Sequence, residues 1–312
     1  MKNVITLLLL AISSYCNAQL PDYYIFLIKG EANLIKPAAK PIPVKPNSFI
    51  YTSDVIEVKK GAEITLADKS QQFFVLRSPG IYKTKDVAKT KPDHIPGVTQ
   101  TYLKLVWNEL LNPNHDFTKF TNDNIAGVYG GVSRSDECNN LIFPIQGLIS
   151  SSDSLHFKWH QTSPISKYVL IIYDTERKEV VNMPVKDTQQ TLLIKEALHT
   201  VTGNFYWLVK GENAGCEDEV PVYFEIITPE TEQKMISSLL QGKDYNDLPG
   251  RLQAINKLEK NAMIPAAGGY YSKLINDNPG NGALLKSYVL FLLKYGFDKE
   301  AYAVWQKGDI KK

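Results

Sequence analysis

The spacing of small and aromatic residues near the end of the chain is the strongest constraint on how it folds. Ala267 and Ala301 are 34 positions apart, as are Tyr271 and Trp305, Leu258 and Leu292, and Ala254 and Tyr288. A period of that length is one helix–turn–helix unit, with small residues where helices cross and an aromatic residue one turn later. The spacing predicts two such units over Leu248–Lys312. Two units are fewer than the roughly three that usually stand alone, so the pair is expected to lean on another element, such as the helix predicted near Met235–Leu240.

Before Thr231 the hydrophobic period is that of strands. From Tyr23 to about Lys85 the chain runs "YYIFLIKGEANLI", "SFIY", "DVIEV", "AEITLA", "QQFFVLR" and "GIYKT", separated by turns at Lys59-Lys60-Gly61, Asp68-Lys69-Ser70 and Ser78-Pro79-Gly80. Many short strands with polar turns predict a small sandwich or barrel. The stretch "KPAAKPIPVKPN", with Pro37, Pro41, Pro43 and Pro46, is expected to be a long hairpin loop kept off the sheet edge. In "VTQTYLKLVWNELLN", Leu103, Val106, Trp107, Leu110 and Leu111 stand at helical spacing and predict a helical connector. A second all-β pattern begins at Cys138. "SLHFKWH" alternates Leu155, Phe157 and Trp159 with His156, Lys158 and His160; "SKYVLIIYD" is apolar on both faces, and "NFYWLVKG" turns Phe205, Trp207 and Val209 inward.

These segments imply domains at 19–96, 97–137, 138–228 and 229–312, behind a leader at 1–18. The leader, "MKNVITLLLLAISSYCNAQL", has a basic Lys2, an apolar run from Val4 to Ile12 too short to span a bilayer, and small residues ending at Ala18, so export with cleavage after Ala18 is expected. A lipoprotein anchored through Cys16 is the rival reading, and the bulky Tyr15 before it fits that poorly. Lys and Arg number 35 against 33 Asp and Glu, a near-balance that gives no electrostatic reason to expect nucleic acid. No later stretch is apolar enough for a transmembrane helix. Removing the leader leaves Cys138 and Cys216, which suggest a disulfide in an exported protein, with two buried thiols as the alternative.

Three resemblances accompany this reading. The order "IKGEANLI", "SDVIEVKKGAEITLADKSQQFFV", "RSPGIYKT" looks like the periplasmic FecR-type domain, over roughly residues 22–88. The run "FKW", "YVLIIYD", "GNFYWLV" is similar to immunoglobulin or fibronectin type III-like modules of bacterial envelope proteins, although Phe205 stands where many of these place a corner tyrosine. The 34-residue units, with Pro279 in the terminal-proline position, resemble tetratricopeptide repeats. The fold class implied is multidomain: two all-β modules followed by a helical repeat.

A search for chemistry yields little. HExxH, CxxC, GxSxG and Walker-type loops are absent from the sequence, and no cofactor is implied. His156 and His160 lie four apart on a strand, about 13 Å, too far for one zinc ion, and both are expected on a solvent face. "CEDE" at Cys216–Glu219 lacks the alternation and turn glycine of a calcium loop, and Asp244, Asn246 and Asp247 fit a helix cap better than a metal site. "NPGNGALL" reads as a turn between repeats. The expectation is a non-enzymatic periplasmic or envelope scaffold or adaptor that binds other envelope proteins. A cell-wall or polysaccharide-binding module and a glycan-active hydrolase are the alternatives. By resemblance to tetratricopeptide repeats, Lys286, Leu290 and Leu293 should line a concave partner groove on the helix Ala283–Gly296, whereas Leu284, Leu285, Tyr288, Leu292 and Tyr295 pack on its neighbours. Burial of the whole helix is the competing reading.

Overall fold

A computed structural model describes residues 20–46, 48–70, 72–92, 116–121, 139–161, 167–211, 220–242, 245–279 and 281–309. The chain divides into two compact units, Met1–Ile95 and Pro96–Lys312.

The first unit stacks two four-stranded sheets. One has the order β4 (Phe49–Ile50), β1 (Tyr23–Lys29), β6 (Glu63–Asp68), β7 (Phe73–Leu76); the other has β3 (Ile42–Pro43), β2 (Ala32–Ile35), β5 (Val55–Val58), β8 (Gly80–Lys83). A short helix, α1 (Thr84–Val87), follows. Alternation in β5 turns Ile56 and Val58 into the core, where they join Ile25, Leu34, Ile64, Leu66 and Leu76. The unbroken apolar run of β1 has a different cause: Tyr23 and Ile25 face this core, whereas Tyr24 and Phe26, on the opposite face, are buried as well, Phe26 against Phe73. The turns carry the expected chemistry, with Gly61 at φ +79° and the Asp68 carboxylate accepting from the Gln72 amide at 2.8 Å. The proline-rich stretch departs from expectation. It folds back on β2, Pro43 opposite Asn33 and Ile42 opposite Leu34, and the Val44 amide donates to the Ala32 carbonyl at 2.8 Å. Proline fits there because β3 is an edge strand, and buried Val44 anchors it.

Among the described residues, the second unit combines a sandwich with a C-terminal run of five helices. Its sheets have the orders β9 (Asn139–Phe143), β11 (Ser154–Gln161), β14 (Gln189–Leu193) and β10 (Leu148–Ser150), β16 (Val222–Ile226), β15 (Gly203–Gly211), β12 (Tyr168–Tyr173), β13 (Glu179–Val185). All pairings are antiparallel except β10 with β16. The inward set of the sequence analysis, Leu155, Phe157, Trp159, Phe205, Trp207 and Val209, is buried, with Phe157 and Trp207 edge-to-face at 5.2 Å. The Trp207 indole N–H is satisfied by the Pro144 carbonyl at 3.0 Å. A short helix, α2 (Ile194–Leu198), leaves β14.

The helices are α3 (Pro229–Leu239), α4 (Leu248–Lys260), α5 (Ile264–Asp277), α6 (Gly282–Lys294) and α7 (Asp298–Asp309). Their starts are set by caps: the Thr228 hydroxyl accepts from Thr231 N, Asp247 from Gly250 N and Asn281 from Leu284 N. Ala267 and Ala301 are fully buried, as close helix packing requires. Tyr271 and Tyr288, one from each hairpin, stack at 5.4 Å. Sandwich and helices pack directly on each other. Ile149 N donates to the Ala262 carbonyl at 3.0 Å, Ser151 Oγ donates to Glu232 at 2.7 Å, and Phe143 meets Phe297 at 5.1 Å.

Candidate docking site

Helix α6 ends because Gly296 takes a left-handed conformation at φ +76°, letting Phe297 N donate to the Leu292 carbonyl at 2.9 Å and Gly296 N to the Leu293 carbonyl at 3.0 Å. The chain then reverses into α7. The two helices approach closely at Gly308, where a β-carbon would fall 2.4 Å from Leu285 Cδ1. This hairpin lines up Lys286 on α6 with Tyr302 and Trp305 on α7.

Into that slot the chain inserts a single helical turn, residues 117–121. Phe117 meets Tyr302 at 5.3 Å and Trp305 at 5.6 Å, both edge-on, and Phe120 lies against Trp305 at 4.9 Å. The Lys286 ammonium stands 5.4 Å from the centre of the Phe120 ring and 5.2 Å from that of Trp305. Phe120, Lys286 and Trp305 are buried, and Tyr302 is exposed at the rim. A cation between two aromatic faces is held by the ring quadrupoles, and desolvation strengthens that attraction.

The predicted groove residues are therefore distributed differently from expectation. Lys286 and Leu293 are 6% and 5% exposed, and Leu290 is half-buried. Lys286 is covered because the 117–121 turn and Trp305 lie over it, so it forms the floor of a filled slot and not the rim of an open groove. Leu293 shares its helix with buried Val289 and Leu292. Cys138 and Cys216 lie outside the described residues, as do "CEDE" and the helix predicted at 98–112. Phe117, Phe120, Tyr302 and Trp305 were not singled out as site residues; the available signal was a pair of phenylalanines three apart, directly after the capping Asp116.

At the far side of α6, Glu259 of α4 accepts from Lys294 and from the Tyr295 hydroxyl, both at 2.8 Å. Burial, then the Glu259 charge, push that hydroxyl far above its ordinary range, so it stays a neutral donor that ties α4 to α6. His160 is exposed as expected, but His156 is not a solvent-face residue. Its ring lies against Phe297 at 5.5 Å and its Nδ1 is 3.2 Å from Thr191 Oγ1. Burial lowers its pKa below the usual imidazole value. Among the described residues, no group of three His, Cys, Asp or Glu is placed to hold a metal ion. None of their helices is long and apolar enough to cross a membrane.

A second surface feature lies on the five-stranded sheet. Strand register sets Tyr173, Tyr206 and Tyr223 in one row across β12, β15 and β16. All three are half-buried, and the Tyr223 hydroxyl donates to Asn204 at 3.0 Å. Ile171 and Leu208, the next pair on the same face, are buried. No family model matches the chain, and no curated protein matches it.

Proposed function

We propose that the chain is a non-enzymatic interaction protein of the cell envelope, an exported scaffold or adaptor that docks other envelope proteins through its helical hairpins. The slot between α6 and α7 carries this reading: it already holds a short aromatic helical turn, the chemistry by which grooves between helices bind peptide segments. The modular assignment is part of the proposal. A three-stranded sheet facing a sheet in which β12 and β15 are central, with β10 parallel to β16, supports an immunoglobulin or fibronectin type III-like module. Two helical hairpins with buried alanines 34 apart support a tetratricopeptide-like pair, and the small two-sheet unit before them supports the FecR-like reading. The chain is read as carrying a Cys138–Cys216 bridge and a leader ending at Ala18.

The tyrosine row favours a second reading, binding of cell-wall polysaccharide, because aromatic rings in line across neighbouring strands can stack on sugar faces. A photo-crosslinking residue at position 290, followed by capture from envelope extract, tests the first reading. A defined protein crosslinked and then competed away by unlabelled chain is the expected result. Sedimentation with purified cell wall that is lost in Tyr206→Ala overturns it in favour of the second, and turnover on a glycan panel overturns both.

A further inference from the structure

We infer that the 117–121 turn is a tethered ligand of the α6–α7 slot, and that the slot takes an aromatic-x-x-aromatic helical turn from a partner protein when its own turn is out. The inference rests on the docking function proposed above and names the chemistry of the segment recognised.

The turn offers the slot two side chains. Phe117 and Phe120, three apart, share one face of the helix, while Asp116, Thr118 and Lys119 are exposed. Its shape is set by its own bonds: Asp116 Oδ1 accepts from Lys119 N at 3.0 Å, the Asp116 carbonyl accepts from Phe120 N at 2.9 Å, and Thr121 Oγ1 donates to the Thr118 carbonyl at 2.9 Å. Helices this short do not persist alone in water, so docking and helicity are coupled. The slot matches that ligand in kind. Trp305 stands between both phenylalanines, Tyr302 closes one side, and Lys286 presents its charge to the Phe120 and Trp305 rings. Nothing in this chemistry depends on the turn being part of the same chain. Tethering instead raises its effective concentration at the slot, which keeps the slot closed to weak competitors and makes the turn an inhibitor in cis.

The test uses the full chain and a fluorescent peptide of residues 114–123. Phe117→Ala/Phe120→Ala should empty the slot and bind the peptide at least about tenfold more tightly than the wild type, the tether no longer competing. Adding Trp305→Ala should abolish that binding. A double variant that melts cooperatively yet binds the peptide no better than the wild type overturns the inference. Should the double variant not fold, a peptide carrying 4-fluorophenylalanine in place of Phe120 decides against the wild type: its fluorine resonance should shift and broaden on adding the wild-type chain and not on adding Trp305→Ala, and a resonance that the wild type leaves unmoved at millimolar peptide refutes displacement. Peptide binding that fails while capture through position 290 persists removes the tethered ligand alone. Capture that fails while the peptide binds removes the docking function alone.

Discussion

Leu293→Ala, set beside Leu290→Ala, measures directly how α6 divides between core and surface. Alanine is the best helix former, so neither change disturbs α6 itself and both report packing. Leu293 is 5% exposed on a helix whose neighbours Leu284, Val289, Phe291 and Leu292 are also buried. Removing its branched methyls there should cost about 3 kcal/mol, within the 2–5 kcal/mol typical of leucine cavities. For a unit the size of Pro96–Lys312, each kcal/mol shifts the melting temperature by roughly 2–4 °C, giving a drop of about 6–12 °C. Leu290 is half-buried and should lose about 1 kcal/mol, a drop of about 2–4 °C. Urea unfolding followed by near-ultraviolet circular dichroism, with calorimetry for the midpoints, reads both. A Leu293→Ala cost below about 1 kcal/mol, or one equal to that of Leu290→Ala, would refute the assignment of Leu293 to the core and restore it to an open groove.

Gly296→Ala should destabilise by about 2 kcal/mol, since φ +76° disfavours alanine and its β-carbon would fall 2.6 Å from Lys158 Cγ; in a Lys158→Ala background the cost should fall to about 1 kcal/mol, and an unchanged cost would show that the side chain is not the obstacle. Asp247→Ala should cost about 1 kcal/mol in urea unfolding by removing the α4 cap, and a neutral result would mean the bond to Gly250 N contributes nothing. Acidification acts through His156. Its folded-state pKa is lowered, chiefly by burial and against the raising influence of Glu300, with Lys158 lowering it and the Gly296 backbone and Asp298 raising it. The unfolded state therefore binds the proton first, so this stability is complete above about pH 6.5 and is lost as pH falls below it. Urea midpoints from pH 7.5 to 5 should show a fall that His156→Gln lessens, and identical profiles would exclude His156 as its source.

Periodicity made most of the framework legible. Alternation in 155–159 and 205–209 placed the sandwich core, and the 34-residue spacing placed both hairpins, because each pattern is a direct image of which side chains face inward. The misses share a cause: a residue's chemical class stood in for its tertiary neighbours. Pro43 was read as loop because proline cannot donate within a ladder, an objection that fails on an edge strand whose outer side is unpaired. Pro184 stands in β13, also an edge strand. His156 alternates with core residues and so belongs to the outward face of β11, but that face is covered by the chain around Phe297.

Lys286 brings these effects together. On a helix that is apolar nearly all round, one lysine is the natural marker of a solvent-facing rim, and long amphipathic side chains usually carry their charge to water. The α4–α5 and α6–α7 hairpins by themselves leave part of α6 uncovered, however, and exposed leucines need cover. The sandwich covers one end of α6 through Phe143 against Tyr295 and Phe297, and the 117–121 turn covers the other through Phe120. Once covered, a lysine can no longer reach bulk water in full. The rings of Phe120 and Trp305 supply electron-rich faces at 5.4 and 5.2 Å, which substitute for part of the lost hydration. A double-mutant cycle of Lys286→Met with Phe120→Leu should therefore show a coupling of about 1 kcal/mol in urea unfolding, and an absence of coupling would remove the contact between the charge and the Phe120 ring as a reason for a lysine at this position.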